Sequence, residues 1–117
     1  MEFVSKQQTY DATRKLVLEW AAQFQDANLE GLARDMQMDG DHSQNPELYK
    51  KFLDGLTADP LEPQDALDAA AQFFEENVPA GGNGQVAQLV RTSRATAENP
   101  EDNAAFWNHW IEVLDSV

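Results

Sequence analysis

Apolar residues recur at intervals of three and four positions along most of this chain, and that spacing limits the fold more than any other feature of the sequence. The first such segment follows Ser5 and Gln8, whose spacing is that of a helix-capping box, and it runs to about residue 25. No stretch alternates apolar and polar residues over a useful length, so we predict an all-α fold. The apolar positions of the first segment are Tyr10, Leu16, Val17, Trp20, Ala21 and Phe24.

Start and stop signals divide the rest of the chain into further helices. Asn28 is an N-cap residue for a shorter helix, and Asn45-Pro46 and Asn99-Pro100 each combine an N-cap with proline at the first helical position. We predict a compact bundle of five or six helices in a single domain, 1–117, with a Gly-rich linker at about 79–84 that is long enough to be mobile. The predicted helices span roughly 6–25, 28–36, 46–55, 63–77, 85–97 and 100–117.

The composition indicates the class of protein and its compartment. A chain of 117 residues has the usual size of one domain, and an apolar fraction of 42% is sufficient for one core. The absence of cysteine excludes disulfides and thiolate metal sites, and it favours a reducing compartment. Neither a signal peptide nor a membrane span is recognisable in the sequence. We therefore expect a soluble, cytoplasmic protein.

Negative charge is the second distinguishing feature of the sequence. The formal net charge is −13, so repulsion from phosphate disfavours nucleic acid and anionic membranes as partners. Counting Asp, Glu, Lys and Arg gives about −3 for residues 1–51 and about −10 for residues 52–117. Arg91 and Arg94 are the only cations of the second part. We therefore expect a functional surface that depends on negative charge to lie after residue 51.

The densest acidic stretch lies on one face of the helix predicted at 63–77. At 100° per residue, four carboxylates and Gln72 fall within an arc of roughly 100°, opposite apolar positions that include Leu67 and Phe74. Exposed helices usually mix charges for i,i+4 pairing, yet this helix contains neither Lys nor Arg. Like charges at that spacing destabilise a helix by a few tenths of a kcal/mol each. The four carboxylates are Asp65, Asp68, Glu75 and Glu76.

This acidic face leads to a functional hypothesis. An interaction domain could present it to a basic protein partner, as an inhibitor or immunity-type protein of a nuclease or toxin would. Steering of a positively charged partner would offset the repulsion within the face. A solvated face with no specific role, or a generally acidic composition as in salt-adapted proteins, would give the same pattern. The predicted partner-binding residues are Asp54, Asp59, Glu62, Asp65, Asp68, Glu75 and Glu76.

The last predicted helix supports an alternative hypothesis. Its apolar side chains form one stripe of roughly 160°, with Asn108, His109 and Glu112 on the other side. We expect this stripe to pack into the core of the domain. If it faces a second copy or an apolar ligand instead, the protein is a helical homo-oligomer or a ligand-binding bundle, so monomer and homodimer both stay open. The stripe consists of Phe106, Trp107, Trp110, Ile111, Val113, Leu114 and Val117.

Residues suited to catalysis or cofactor binding are scarce. His42 and His109 are the only histidines, and no zinc, di-iron or nucleophile motif contains them. We therefore expect a protein that is not an enzyme and that needs neither cofactor nor metal. A minor alternative is a weak calcium site in the 35–47 loop, where carboxylates alternate from Asp35 onward, although Pro46 stands where a calcium loop needs a bidentate glutamate.

Overall fold

The computed structural model describes residues 3–40, 42–56, 58–78 and 84–117. Within these residues the chain is an all-α bundle of six helices, which confirms the predicted fold class. The predicted linker at 79–84 lies outside the described residues, apart from Gly84 at the start of the fifth helix. The helices are α1 Lys6–Phe24, α2 Ala27–Asp35, α3 Pro46–Asp54, α4 Pro63–Asn77, α5 Gly84–Glu98 and α6 Ala104–Ser116.

Capping side chains account for the starts of α1 and α3. Ser5 Oγ accepts a hydrogen bond from the backbone N–H of Gln8 at 3.0 Å, as in the predicted capping box. The side chain of Gln8, however, donates through Nε2 to the carbonyl of Leu114 at 2.8 Å, so the start of α1 is joined to the end of α6. Asn45 Oδ1 caps α3 as predicted, by accepting from the N–H of Leu48 at 3.2 Å.

The start of α2 differs from the prediction. Gln25 ends α1 in the left-handed conformation, with φ of 50°, and the N-cap is Asp26 rather than Asn28. Asp26 Oδ1 accepts from the N–H groups of Asn28 and Leu29 at 2.9 and 3.2 Å. Asp and Asn are equally good N-caps, so the tight reversal at Gln25 selects the residue that directly follows it.

Two further elements depart from the predicted helices. The turn after α2 contains a short antiparallel hairpin, β1 Met38–Asp39 with β2 His42–Ser43, which is too short to show alternation in the sequence. The last predicted helix begins as a 3₁₀ turn, Pro100–Asn103, and becomes α-helical only at Ala104. Neither difference alters the fold class.

The apolar face of α4 holds the bundle together. Helix α1 packs against α2, α4 and α6, and α5 packs against α4 and α6. Trp20 of α1 lies on Phe74 of α4 with their ring centroids 4.7 Å apart. Trp110 of α6 is fully buried, and its Nε1 donates to the carbonyl of Pro63 at the start of α4 at 3.0 Å. The acidic face of α4 is consequently left outside the core.

Aromatic contacts fix α3 beside α1 and α4. The Tyr10 ring of α1 meets Tyr49 and Phe52 of α3 edge-on, with centroids 4.7 and 5.4 Å apart. Phe52 in turn meets Phe73 of α4 at 5.6 Å. The Tyr10 hydroxyl donates to the carbonyl of Met36 at 2.8 Å, and burial raises the pKa of Tyr10. These contacts set the spacing between α3 and α4, where the candidate site lies.

Candidate functional site

The predicted partner-binding carboxylates are all exposed, and they lie on α3, on α4 and on the segment between these helices. Asp54 is the last residue of α3, Asp59 lies in the connection, and Glu62 is the N-cap of α4. Asp65 stands in the first turn of α4, and the other three follow it at helical spacing. We use the term acidic surface for this set: Asp54, Asp59, Glu62, Asp65, Asp68, Glu75 and Glu76.

A cation from the neighbouring helix neutralises part of the acidic surface. Arg94 of α5 forms an ion pair with Asp68 and a forked pair with Glu75, in which Nη2–Oε1 is 2.8 Å and Nε–Oε2 is 3.4 Å. A guanidinium and a carboxylate favour this fork geometry. The hydrogen bond to Glu75 is the main cause of a raised Arg94 pKa. A helical wheel of α4 alone cannot reveal this cation, because it belongs to α5.

A second cation reaches the end of α4 from α3. Lys51 Nζ lies 3.7 Å from Glu76 Oε2, and the two side chains are 73% and 44% exposed. Glu76 also accepts a hydrogen bond from Gln72 Nε2 at 3.2 Å. Exposed pairs of this kind contribute about 0–1 kcal/mol to stability. Lys51 can therefore leave Glu76 with little loss of stability.

The remaining carboxylates of the acidic surface have no side-chain partner within the described part of the chain. They form no hydrogen bond or ion pair there, whereas Asp68, Glu75 and Glu76 each have a cation. Seven carboxylates against Arg94 and Lys51 leave this surface with a net charge of −5. The acidic surface is thus partly paired within the chain and still strongly negative. The four without a partner are Asp54, Asp59, Glu62 and Asp65.

A groove between α3 and α4 brings two acids of this surface to one place. Asp54 and Glu76 both line the groove, which has a volume of about 290 Å³. Sequence reasoning missed it, because a cleft between two packed helices leaves no signal in the periodicity of either one. Asp59 and Glu62 are not among the described residues that line the groove. The apolar wall of the groove is formed by Leu48, Phe52, Ala69 and Phe73.

The aromatic stripe of α6 mostly faces the core. Its inner members are buried: Trp110 and Leu114 have no exposed surface, and Val113 is 2% exposed. Its outer members pack against the same core and are half-buried, and Val117 is 44% exposed. A second copy or an apolar ligand would therefore reach only the outer edge of the stripe. The half-buried members are Phe106, Trp107 and Ile111.

The two histidines are placed apart from the acidic surface. His109 Nε2 lies 2.6 Å from Glu19 Oε2, and His109 Nδ1 lies 3.8 Å from Glu112 Oε2. His42 belongs to the hairpin strand β2. Across residues 3–40, 42–56, 58–78 and 84–117, no group of three or more His, Asp or Glu side chains is arranged to hold a metal ion.

The 35–47 loop is closed by hydrogen bonds of its own. The carbonyl of Asp35 accepts from Ser43 Oγ at 3.3 Å and from the N–H of Asn45 at 3.1 Å. The carbonyl of Gln37 accepts from the N–H of Gln44 at 2.9 Å. Asp41, which follows Asp35 and Asp39 in this loop, lies outside the described residues. This arrangement adds no support to a calcium site.

Comparison of the chain with models of protein families, with curated proteins and with solved structures finds no match. Among the helices that the structure describes, none has the length and apolarity that a membrane crossing requires. The acidic surface and the groove are the features from which a function can be inferred.

Replacing Arg94 by glutamine is expected to lower the free energy of unfolding by less than about 1 kcal/mol, because its ion pairs are at the surface. The loss should shrink as salt is added, and urea denaturation at low and high ionic strength measures it. Arg91→Gln is the matched control, since Arg91 loses the same charge but only a 2.9 Å hydrogen bond to Gln88. A loss of several kcal/mol for Arg94→Gln would contradict this prediction, and would mean that Arg94 is needed to hold α4 and α5 together.

Proposed function

We propose that the protein is a cytoplasmic protein-binding domain whose acidic surface binds a basic protein, in the manner of an inhibitor or immunity-type protein that neutralises a nuclease or toxin. The observation that carries the proposal is the net charge of −5 that this surface keeps when Arg94 and Lys51 are counted against it. Four exposed carboxylates without a partner among the described residues are free to meet cations of another molecule.

The position of the acids on α4 supports a role beyond folding. Glu75 and Glu76 lie near the C-terminal end of α4, and no basic residue lies in its last turn. Carboxylates are unfavourable at a helix C-terminus, because the helix dipole places negative charge there. Lys51 from α3 and Arg94 from α5 offset this unfavourable charge only in part. Stability alone therefore does not explain this concentration of charge, whereas recognition of a positive partner does.

Electrostatic steering supplies the physical benefit. Clustered charge of one sign raises the rate of association with an oppositely charged protein by roughly 10- to 1,000-fold at low ionic strength. Helices α3 and α4 hold most of these carboxylates on a packed scaffold, so that little conformational entropy is lost when a partner binds. An inhibitor that must capture its target quickly gains from both effects.

The proposal can be tested by affinity capture with matched variants. The first variant, D54N/D59N/E62Q/D65N, neutralises the four carboxylates without a partner, and we call it the four-acid variant. The control variant, E30Q/D39N/E101Q/D115N, neutralises four exposed acids elsewhere. Both have a net charge of −9, so bulk charge does not distinguish them. Each protein and the wild type are immobilised, loaded with an extract of the native cell at low salt, and eluted with a salt gradient.

We expect wild type and the control variant to retain the same basic protein and to release it as the salt rises. The four-acid variant should fail to retain it or release it at much lower salt. If all three immobilised proteins retain the same set and release it at the same salt, the acidic surface is solvated surface without a binding role.

A further inference from the structure

The groove between α3 and α4 is small and open to solvent. Its volume of about 290 Å³ lies just below the roughly 300–1,000 Å³ of pockets that enclose a drug-sized ligand. This volume is sufficient for one long side chain from another protein.

The wall of the groove is apolar and firmly packed. Phe52 and Phe73, which line it, are only 7% and 5% exposed, and their rings meet edge-on at 5.6 Å. Leu48 and Ala69 complete the wall and are partly buried. Such a surface suits the aliphatic stem of a long side chain, because it removes methylene groups from water.

The polar edge of the groove has a net charge of −1, because Asp54 and Glu76 outnumber Lys51 by one, and this charge favours a positively charged ligand. Asp54 has no ion-pair partner among the described residues. Glu76 has the loose pair with Lys51 at 3.7 Å and the 3.2 Å hydrogen bond from Gln72, and both of these residues also line the groove. A purely apolar side chain would remove water from these carboxylates without replacing its hydrogen bonds, and an acidic one would be repelled. A cation at the end of an aliphatic stem meets both demands.

Arginine meets these demands better than lysine does. Its planar guanidinium donates to carboxylates in paired hydrogen bonds, and it also stacks on aromatic rings. Arg94 already shows this geometry on the acidic surface, in its forked pair with Glu75. Lys51, whose side chain is 73% exposed, can swing away from Glu76 when a better donor arrives.

We propose that the groove between α3 and α4 receives one arginine side chain of the basic partner, with its stem on Phe52 and Phe73 and its guanidinium between Asp54 and Glu76. This inference rests on the proposed function and names the residue type that the partner must present. Binding displaces Lys51 from Glu76, so Lys51 acts as an internal competitor. Specificity then comes from the groove, and the rest of the acidic surface contributes steering.

The test uses a small probe that needs no knowledge of the partner. The isotope-labelled protein is titrated with N-acetyl-L-arginine amide, and its backbone amide signals are followed by NMR. N-acetyl-L-citrulline amide is the control probe, because it has the same shape without the charge. We expect the arginine probe to shift signals of residues 48–55 and 69–77, with a dissociation constant on the order of millimolar, and the citrulline probe to bind roughly tenfold more weakly.

Three variants locate the binding within the acidic surface. Asp54→Asn should lower the affinity for the arginine probe by roughly tenfold, since a charge-assisted hydrogen bond is lost. Lys51→Gln should raise that affinity by up to roughly fivefold, because the competing cation is removed. Asp65→Asn is the matched control, an exposed acid of the same surface that does not line the groove, and it should change the affinity by less than about twofold.

Equal binding of the two probes, or equal effects of Asp54→Asn and Asp65→Asn, would overturn the arginine site. The affinity-capture experiment distinguishes a failure of the arginine site from a failure of the proposed function. If the four-acid variant loses the basic protein while Asp54→Asn alone behaves like Asp65→Asn, the acidic surface binds and the groove does not. If the four-acid variant retains the same proteins as its control, the proposed function fails whatever the probe shows.

Discussion

Replacing Trp110 by alanine is expected to lower the free energy of unfolding by about 3–5 kcal/mol. The side chain is fully buried, so its removal leaves a cavity, and the apolar residues around the cavity lose van der Waals contacts. It also removes the 3.0 Å hydrogen bond from Nε1 to the carbonyl of Pro63, which joins α6 to the start of α4. Domains have a total stability of about 5–15 kcal/mol, so this single change removes a large fraction of it. Urea denaturation followed by circular dichroism measures the loss.

Trp107→Ala is the matched control for that experiment. Trp107 is on the same helix and has the same size, but it is only half-buried. We expect a clearly smaller loss than for Trp110→Ala, because less apolar surface is removed from the core. Equal losses for the two variants would mean that α6 is rotated relative to the packing described above. A concentration-dependent loss for Trp107→Ala alone would point to a second copy on the outer edge of the stripe.

The four-acid variant is expected to bind the captured basic protein roughly 10- to 1,000-fold more weakly at low ionic strength, mainly through slower association. The same variant should fold as well as wild type or slightly better, since like charges no longer repel each other on the surface. Titration calorimetry at low salt gives the affinity, and urea denaturation gives the stability.

The control for this prediction again neutralises the same number of acids. E30Q/D39N/E101Q/D115N should keep an affinity close to that of wild type, because the carboxylates that it removes lie elsewhere. If the four-acid variant binds weakly only because it unfolds, the denaturation curve will show it. Weak binding by a fully folded four-acid variant, with normal binding by the control, assigns the affinity to the acidic surface.

Helix positions could be predicted where the signal is local. Pro63 and the apolar spacing behind it place α4 at Pro63–Asn77, as predicted, and Ser5 caps α1 at the expected residue. The same kind of signal gave the wrong N-cap for α2, because the prediction was Asn28 and the structure has Asp26, an equally good capping residue. The left-handed conformation of Gln25 ends α1 directly before Asp26, and the spacing of apolar residues does not encode it.

Elements without a periodic signal were missed. The hairpin of Met38–Asp39 with His42–Ser43 contains too few residues to show alternation. The 3₁₀ turn at Pro100–Asn103 carries the same Asn-Pro start as a regular helix, so sequence alone did not separate the two. Both are short elements that tertiary packing can impose against weak local preferences.

The candidate site was only half visible in the sequence. The face of Asp65 and its neighbours follows from the wheel of one helix, and the buried side that includes Phe74 was placed correctly. The cations could not be placed, because Arg94 reaches α4 from α5 and Lys51 reaches it from α3. These contacts depend on how helices are paired, which the spacing of residues within one helix does not encode.

The cations also change what the acidic surface requires of a partner. A helical wheel of α4 shows a face with carboxylates and no cation, whereas the structure leaves the unpaired charge around Asp54, Asp59, Glu62 and Asp65. A partner that contacts these four carboxylates meets free acceptors. One that contacts Asp68 or Glu75 must compete with Arg94, whose forked hydrogen bonds are already formed. We therefore expect the centre of recognition at the α3 end of the surface.

The salt dependence of association is the most direct test of recognition through the acidic surface. Stopped-flow measurements would follow the captured basic protein as it binds wild type, the four-acid variant and the control variant over a range of ionic strengths. We expect the association rate constants of wild type and control to fall steeply as salt increases, and that of the four-acid variant to start low and change little. Equal rate constants for all three proteins at every ionic strength would contradict a role of the acidic surface in binding.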